Sequence, residues 1–526
     1  MHPESSKKAI ILLLTVSALI RAFIAGWVEL GNDEVYYWTY AMFPDWSHFD
    51  HPGMVGWVMQ LFSLNLLFDS EFFLRLSSVV FMTVNTWIVY RIGKELRDET
   101  LGLRAALLYT ASIYAFVITG IFILPDTPQN LFWLLGFWAL IRYLKKRSNT
   151  AMVLAGVAIG LCILSKYTGA FLWLGFGLYT LFYDRKTLKN PYFYLALLIT
   201  FLCCIPILYW NLQNDFISFS FHGARVGGNK LNFSTFGTEI AGEFFYNNPV
   251  NFILAIIAVV AAIKKRLNLD KSAQRLILCI ALPLIVVFLF FSLTRPTLPH
   301  WNAPAYVLLI LLSAVYLRDK QSETEKLPKS IIAALCVLVI ALVIGVAEIK
   351  TGFIPLDKHT EPEQLGRNDF TVDMYGWRQL GEKFADFREQ KIAEGIMKEE
   401  DGIVANQWFP LANLDYYVAR PLGMRVMGLG WPEQLHKYLW INDERGGFHL
   451  GENYWFLSDS RYPKDPRETY QWFFKEIELV GVIEIERCGK PAKNFFVYTC
   501  KDLMDQPPTL QGLMAASDAE EKATRQ

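Results

Sequence analysis

The sequence predicts an α-helical integral membrane protein of about 11 transmembrane helices with a small soluble α/β domain at its C-terminal end. Three observations predict it. The chain is 53% hydrophobic with a mean hydropathy of +0.25, more apolar than a soluble domain needs. Apolar runs recur from Ala9 to Ile349 and polar composition takes over afterwards. Clusters of Lys and Arg fall at every second end of those runs, the pattern of cytoplasmic loops. The formal net charge is zero, from 50 basic and 50 acidic residues, so nothing supports a general attraction to nucleic acid. The boundaries follow: a multispan domain over 1–349 with a first outer loop over 29–70, a soluble domain over 350–505, and a tail over 506–526 of disordered composition.

The first span runs from about Ala9 to Val28. Lys7 and Lys8 precede it, but no small-residue cleavage pattern precedes Trp27, so it reads as a retained span, not a signal peptide. Val55 to Phe68 is apolar but short of the roughly 20 residues a crossing takes, and reads as a helix near the interface. The second span is Glu71 to Ile92, the third Leu101 to Leu124, and the fourth Pro128 to Leu144. Met152 to Tyr183 is interrupted by SKYTG, which predicts two short spans meeting at Lys166. Pro191 to Trp210 follows, then a polar segment from Asn211 to Asn248. The remaining spans are Pro249–Ile263, Arg275–Leu293, a run ending at Leu317, and Ser330–Ile349.

One face carries Lys7/Lys8, Arg91/Lys94/Arg97, Lys145/Lys146/Arg147, Arg185/Lys186, Lys264/Lys265/Arg266, Arg318/Lys320 and Lys326/Lys329. That face is expected to be cytoplasmic, and the odd span count then places the C-terminal domain outside. A single crossing by Met152 to Tyr183 would reverse every later assignment. The soluble domain is expected to open with a helix over about Gly376 to Ile396. Strands are expected at DGIVANQ, Tyr454–Ser460, VGVIEIER and FFVYTC, and a helix over Pro466 to Ile477. Five of seven cysteines lie in apolar runs and read as small hydrophobes. No zinc-type spacing occurs, and Cys488 and Cys500 would not face each other across a hairpin turning at Gly489 to Asn494.

The chemistry concentrates in the first outer loop, GNDEVYYWTYAMFPDWSHFDHPGM, from Gly31 to Met54. Ionisable groups this dense beside a bilayer are expensive unless they serve a function. Asp33 and Glu34 are adjacent acids that can divide work between proton removal and positioning; a helix-capping pair is the plain alternative. Asp50-His51-Pro52 adds a carboxylate and an imidazole. Asp126, in LPDTP, starts a span and suits either a helix cap or a site. Lys166 at membrane depth needs an anion, either Asp126 or a bound phosphate. His222, Arg225, Arg295, His300 and Trp301 add cationic and stacking groups suited to a phosphate and a sugar ring. All fall at the ends away from the basic clusters. Nucleotide donors are scarce on that face, so a donor carried by lipid is expected. No GxxxxGK loop or GxGxxG fingerprint occurs.

The ordered blocks DEVYYW, DHPGM, LPDTP, LSKYTG, WNLQNDFISFSFHGARV and PHWNAPAY resemble the bacterial protein-mannosyltransferase-like family of multispan, GT-C class glycosyltransferases, related to the lipid A aminoarabinose transferases. The resemblance covers about Ser17 to Ala314. It implies a polyprenyl-phosphate-linked monosaccharide donor, an acceptor that is a lipid of lipid A type, a glycan or a protein, and transfer with inversion. It implies that the first-loop acid, here Asp33 with Glu34 beside it, is essential to catalysis. Members often carry a second proline after DHP; Gly53 stands there in this chain, which implies a looser turn. A divalent metal held by Asp33, Glu34 or His51 stays open, since its geometry cannot be read from sequence. A transporter or flippase for a lipid-linked sugar is the alternative, although no internal repeat of the kind common in transporters is evident. An assembly or sensor protein is a third reading. The expected location is the cytoplasmic (inner) membrane, with the active site and C-terminal domain extracytoplasmic.

Overall fold

The computed structural model describes residues 3–224, 231–321 and 326–507. The chain folds as two compact units: residues 1–27 with 40–343, and residues 28–39 with 344–526.

The first unit is a helix assembly. Its helices, with α2 included for chain order, are α1 (Pro3–Trp27), α2 (Asn32–Met42), α3 (Met54–Phe62), α4 (Glu71–Leu96), α5 (Glu99–Ala111), α6 (Asp126–Lys146), α7 (Asn149–Ser165), α8 (Phe171–Tyr183), α9 (Pro191–Gln213), α10 (Ile217–Ala224), α11 (Phe233–Tyr246), α12 (Pro249–Ile263), α13 (Lys271–Ser292), α14 (Ala303–Lys320) and α15 (Lys329–Thr351). Among the described residues five of these, α1, α4, α9, α13 and α15, are each long and apolar enough to cross a bilayer. A sixth crossing is possible by length if α11 and α12, bent by 103° at their junction, count as one broken span. The eleven-span count is therefore not reproduced by length and composition. Much of the rest of the apolar sequence is spent in shorter helices and breaks.

Water-free packing requires close helix approach, and small residues supply it. A Cβ on Gly156 of α7 would lie 2.5 Å from the Ala196 carbonyl oxygen of α9, and one on Gly175 of α8 would lie 2.4 Å from the Ile280 Cα of α13. The same need explains buried amides at chain breaks. Asn248, before α12, donates to the Ala111 and Ala334 carbonyls at 2.9 and 2.8 Å, and Asn251 donates to Leu108 at 2.8 Å.

The expected third span, Leu101 to Leu124, is not one helix. It ends at Ala111, passes through extended Ser112, and makes one π-turn over Tyr114–Ile118. Polar residues opening α6 satisfy the irregular backbone, as membrane depth demands. Thr127 donates to the Phe122 carbonyl at 3.0 Å and Asn130 to the Thr119 hydroxyl at 3.1 Å, while Ser78 donates to Phe122 at 2.8 Å. By contrast the break expected in Met152 to Tyr183 falls at Lys166, which is extended between α7 and a 3-10 turn over Tyr167–Ala170. The interfacial helix expected over Val55 to Phe68 is α3, Met54–Phe62. The polar segment from Asn211 contains two helices, α10 and α11.

The second unit is an α/β fold. Its elements after α15 are α16 (Trp377–Ala393), β1 (Gly402–Ala405), α17 (Trp408–Leu414), β2 (Val426–Gly428), α18 (Pro432–Leu435), α19 (Tyr438–Glu444), β3 (Tyr454–Asp459), α20 (Pro466–Thr469), β4 (Phe474–Arg487) and β5 (Lys490–Leu503). The sheet order is β2-β1-β3-β5-β4. β1 pairs in parallel with β2 and β3, whereas β5 runs antiparallel to β3 and β4. The helix expected over Pro466 to Ile477 covers only its first four residues, and β4 begins at Phe474. Cross-strand pairing with β5 outweighs the local helix pattern. The hairpin turns at Cys488-Gly489, both with positive φ, a two-residue turn whose twist suits the strands. Cys488 is exposed, Cys500 is buried, and both are free thiols.

Residues 28–39 enter this second unit through backbone and side-chain contacts. Leu30 N–H donates to the Tyr417 hydroxyl at 2.7 Å, and the Glu29 carboxylate accepts from Trp377 N–H at 2.8 Å. Tyr36 packs against Trp408 and His436, and Trp38 meets Tyr416 edge-on at 5.2 Å. Beneath them Lys493 is fully buried. Its ammonium lies 4.0 Å from the Trp377 ring centroid and 3.9 Å from Asp459, and donates to the Val372 carbonyl at 2.9 Å. Burial pushes Glu29 up and Lys493 down, each toward its neutral form, and the opposite charges nearby resist both shifts.

Candidate active site

An ion pair joins the break at Lys166 to the start of α6. Lys166, at the break after α7, donates to Asp126, the first residue of α6, at 2.7 Å, and both side chains are almost fully buried. Gln129, one turn into α6, donates to the Thr168 hydroxyl at 2.5 Å. Tyr114, from the π-turn, donates to the other Asp126 oxygen at 3.4 Å. Of the two anions the sequence left open for Lys166, the fold supplies Asp126.

The first outer loop closes on the same cluster. A bridge between Ser47 and Pro52, with His48 N–H donating to the His51 carbonyl at 3.1 Å, makes the turn tight. Gly53 does not loosen it. Its φ of −71° is one proline could adopt, but a Cβ there would sit 2.8 Å from the Asp45 carbonyl oxygen. Asp45 accepts from the Trp210 indole of α9 at 2.7 Å. Tyr40 donates to the Asp50 carboxylate, and the His222 Nε2–H of α10 donates to the Asp50 carbonyl at 2.7 Å. His222 also meets Tyr167 edge-on at 5.3 Å and lies 6.2 Å, ring to ring, from His51.

His51 and His300 both feel Asp126 and Lys166. Burial holds His51 at about 3, against the attraction of Asp50 and with the repulsion of Lys166. Burial holds His300 at about 4 for the same reason, Asp126 opposing and Lys166 assisting. Both imidazoles are thus neutral at pH 7, so His300 enters as a hydrogen-bonding group and not as the cation its sequence context suggested. Trp301 packs edge-on against Phe288 at 5.7 Å, and the Arg295 guanidinium lies 5.1 Å from the Phe291 ring centroid. Arg225 lies outside the described residues.

Two carboxylates of this region were missed from sequence. Glu239 and Glu243 sit four apart on α11, almost fully buried, and hold the segment that carries His300. Thr297 donates to Glu239 at 2.8 Å, Tyr306 donates to Glu243 at 2.7 Å, and Asn302 donates to Glu243. The signal was available: GTEIAGEFFY places both acids on one helical face.

Asp33 and Glu34 open α2 and belong to the second unit. Their side chains take different positions. Glu34 is buried and its carboxylate accepts from Gly31 N–H at 2.8 Å, the reach-back half of a capping box. Asp33 is exposed in the same first turn. Among the described residues no three His, Cys, Asp or Glu side chains come together as a cation site.

Residues 50–210 match the model of a family described as dolichyl-phosphate-mannose-protein mannosyltransferase. The chain is 20% identical over 404 residues to lipid A galacturonosyltransferase RgtD of Rhizobium johnstonii, covering 74% of this chain and 80% of that one. It is 28% identical over 306 residues to the undecaprenyl phosphate-alpha-4-amino-4-deoxy-L-arabinose arabinosyl transferase of Pseudomonas aeruginosa, covering 54% of this chain and 52%, about half, of that relative. The crystal structure of ArnT from Cupriavidus metallidurans bound to undecaprenyl phosphate superposes with a TM-score of 0.59 at 15% identity, covering 92% of this chain and 97% of that one. The resemblance noted in the sequence motifs is thus borne out: the chain is similar to glycosyltransferases, and its fold is that of the ArnT structure.

Proposed function

We propose that this protein moves a monosaccharide from a polyprenyl-phosphate donor to a lipid acceptor of lipid A type, with inversion, on the extracytoplasmic face of the cytoplasmic membrane. A glycan or protein acceptor is the broader class. The observation that carries the reading is the buried Asp126–Lys166 pair between the start of α6 and the break after α7. It lies within the matched segment, 50–210. The lipid A and undecaprenyl phosphate named for the relatives support the donor and acceptor classes.

In this reading Lys166 and Arg295 bind the donor phosphate. An ammonium has three N–H donors and Asp126 takes one, which leaves capacity for a phosphate oxygen. His51 and His300, neutral, donate further hydrogen bonds. The acceptor oxygen attacks the anomeric carbon opposite the phosphate, the bond from that carbon to the phosphate oxygen breaks, and polyprenyl phosphate leaves with the electron pair. Fixed cations in a low-dielectric site stabilise the charge that develops on it. Asp33 takes the proton of an acceptor hydroxyl; an acceptor phosphate is already ionised, and Asp33 then only orients it. Asp33, Glu34 and His51 are the groups a divalent cation would use, but Glu34 is already committed to Gly31 N–H, so we assign the phosphate to side-chain cations.

The test is transfer by purified protein given a panel of radiolabelled polyprenyl-phosphate sugars, with label followed into lipid A, a peptide and water. Wild type is expected to label one acceptor, and Asp33→Asn and Lys166→Met to reduce transfer by about 100-fold or more. Donor binding by the wild type with no label moved to any acceptor would reject the transferase and favour a carrier of lipid-linked sugar.

A further inference from the structure

The second unit holds a cavity of about 430 Å³ that the transfer chemistry does not use. Its position follows from strand order. β1 pairs in parallel with β2 on one side and β3 on the other. The chain leaves β1 first toward β2 and then returns to β3, so connections diverge at the carboxyl end of β1. Open α/β sheets take ligands at that kind of switch point. Asn406, the residue after β1, and Leu429-Gly430, the residues after β2, line the cavity.

The mouth is preformed. Asn442 clamps the end of β2 in both directions: Gly428 N–H donates to its Oδ1 at 2.8 Å, and its Nδ2 donates to the Gly428 carbonyl at 2.7 Å. Tyr470 donates to the Leu429 carbonyl at 2.9 Å. A Cβ on Gly430 would sit 2.7 Å from the Asn406 carbonyl oxygen, so only glycine lets the loops after β1 and β2 touch. With those backbone groups satisfied, the lining offers Asn406, Gln434, Asp443 and Thr469 as polar side chains beside the rings of Trp431, Phe448 and Phe473. Trp431 is 54% exposed. Among the described lining residues there is no Lys, Arg or His.

Amides, a hydroxyl and a carboxylate beside flat apolar faces suit a ligand with hydroxyls on its edge and C–H bonds on its faces. The absence of a cation in the lining argues against phosphate or a uronic acid. The volume lies in the range of small-molecule sites and accommodates one or two pyranose rings. We propose that this cavity is a binding site for a neutral saccharide, with Trp431 as its stacking platform and Asn406, Gln434 and Asp443 as its hydroxyl partners.

The test is direct binding to the full-length protein in nanodiscs, independent of catalysis. Saturation-transfer NMR with neutral mono- and disaccharides, and with glucuronic acid and a sugar phosphate as controls, is compared among wild type, Trp431→Ala and Asp443→Asn. Both substitutions alter surface-accessible lining, and an unchanged melting temperature verifies that each variant folds. At least one neutral saccharide is expected to bind wild type and to bind each variant at least tenfold more weakly. Binding unchanged in both variants, binding of the anionic controls alone, or no binding by any panel member would overturn the proposal. None of these outcomes bears on donor transfer, so its failure is distinguishable from failure of the transferase reading.

Discussion

Residues that carry charge in this protein do so under strict local accounting, and Lys166 is the plainest case. A buried ion pair is expensive to break and often cheap to replace whole, because a lone buried charge keeps its desolvation cost. Lys166→Met and Asp126→Asn are each expected to lower the melting temperature in detergent, at a cost of about 3–5 kcal/mol. The double variant Lys166→Met with Asp126→Leu is expected to recover most of that stability without recovering transfer. A double variant that regained transfer would remove Lys166 from the phosphate site. The two depressed histidines make a second prediction. The unfolded chain binds protons below about 6.5. The folded chain does so only near 3 at His51 and near 4 at His300. Between those limits the unfolded state holds more protons, so stability falls as pH falls. Melting scans at pH 7.5, 6 and 5 are expected to show progressive loss in wild type and a flatter profile in His51→Gln with His300→Gln. At this scale the sequence was informative where cost forces a partner, as for Lys166. It left two readings open where a backbone geometry claims the group, as Gly31 N–H claims Glu34. Exposed Asp33 predicts little change in melting temperature for Asp33→Asn, whereas Glu34→Ala is expected to cost about 1 kcal/mol of stability and to lower the melting temperature.

At the scale of elements, the breaks matter more than the spans. SKYTG advertises its break because polar and small residues interrupt an apolar run. The break after Ala111 has no such marker: the residues from Tyr114 to Leu124 are as apolar as a spanning helix, and hydropathy cannot separate the two. What permits it lies elsewhere in the chain, in the polar side chains of Ser78, Thr127 and Asn130. Asn130→Leu, which removes the amide N–H donors to the Thr119 and Tyr109 hydroxyls, is expected to destabilise by about 1–3 kcal/mol. Scanning calorimetry in detergent measures it, and a neutral result would mean that another group or water satisfies them. The buried Glu239 and Glu243 were lost for a related reason. They lie in a stretch polar enough to read as a connection, and their partners in the segment holding His300 are more than fifty residues away.

For the molecule as a whole, the helical membrane part and the α/β part were legible from composition and periodicity, because both respond to solvent. The ownership of residues 28–39 was not. They sit among membrane residues in the chain but fold with residues 344–526, and only long-range pairing shows it. A chain cut after residue 343 is expected to leave Glu29, Tyr36 and Trp38 without their partners and to run as aggregate on size exclusion. A monodisperse product would show that this segment has a second stable arrangement.

The pairing of Leu30 with Tyr417 spans 387 residues, and this sets a clock on biosynthesis. At roughly 5–20 residues per second, about 20–80 s separate synthesis of the first partner from that of the second. Throughout that interval the turn bearing Asp33 lacks the framework that fixes it. A ribosome-bound or prematurely terminated chain therefore has its membrane helices before residues 28–39 have their partners, and in the proposed reading transfer waits for the last part of the polypeptide.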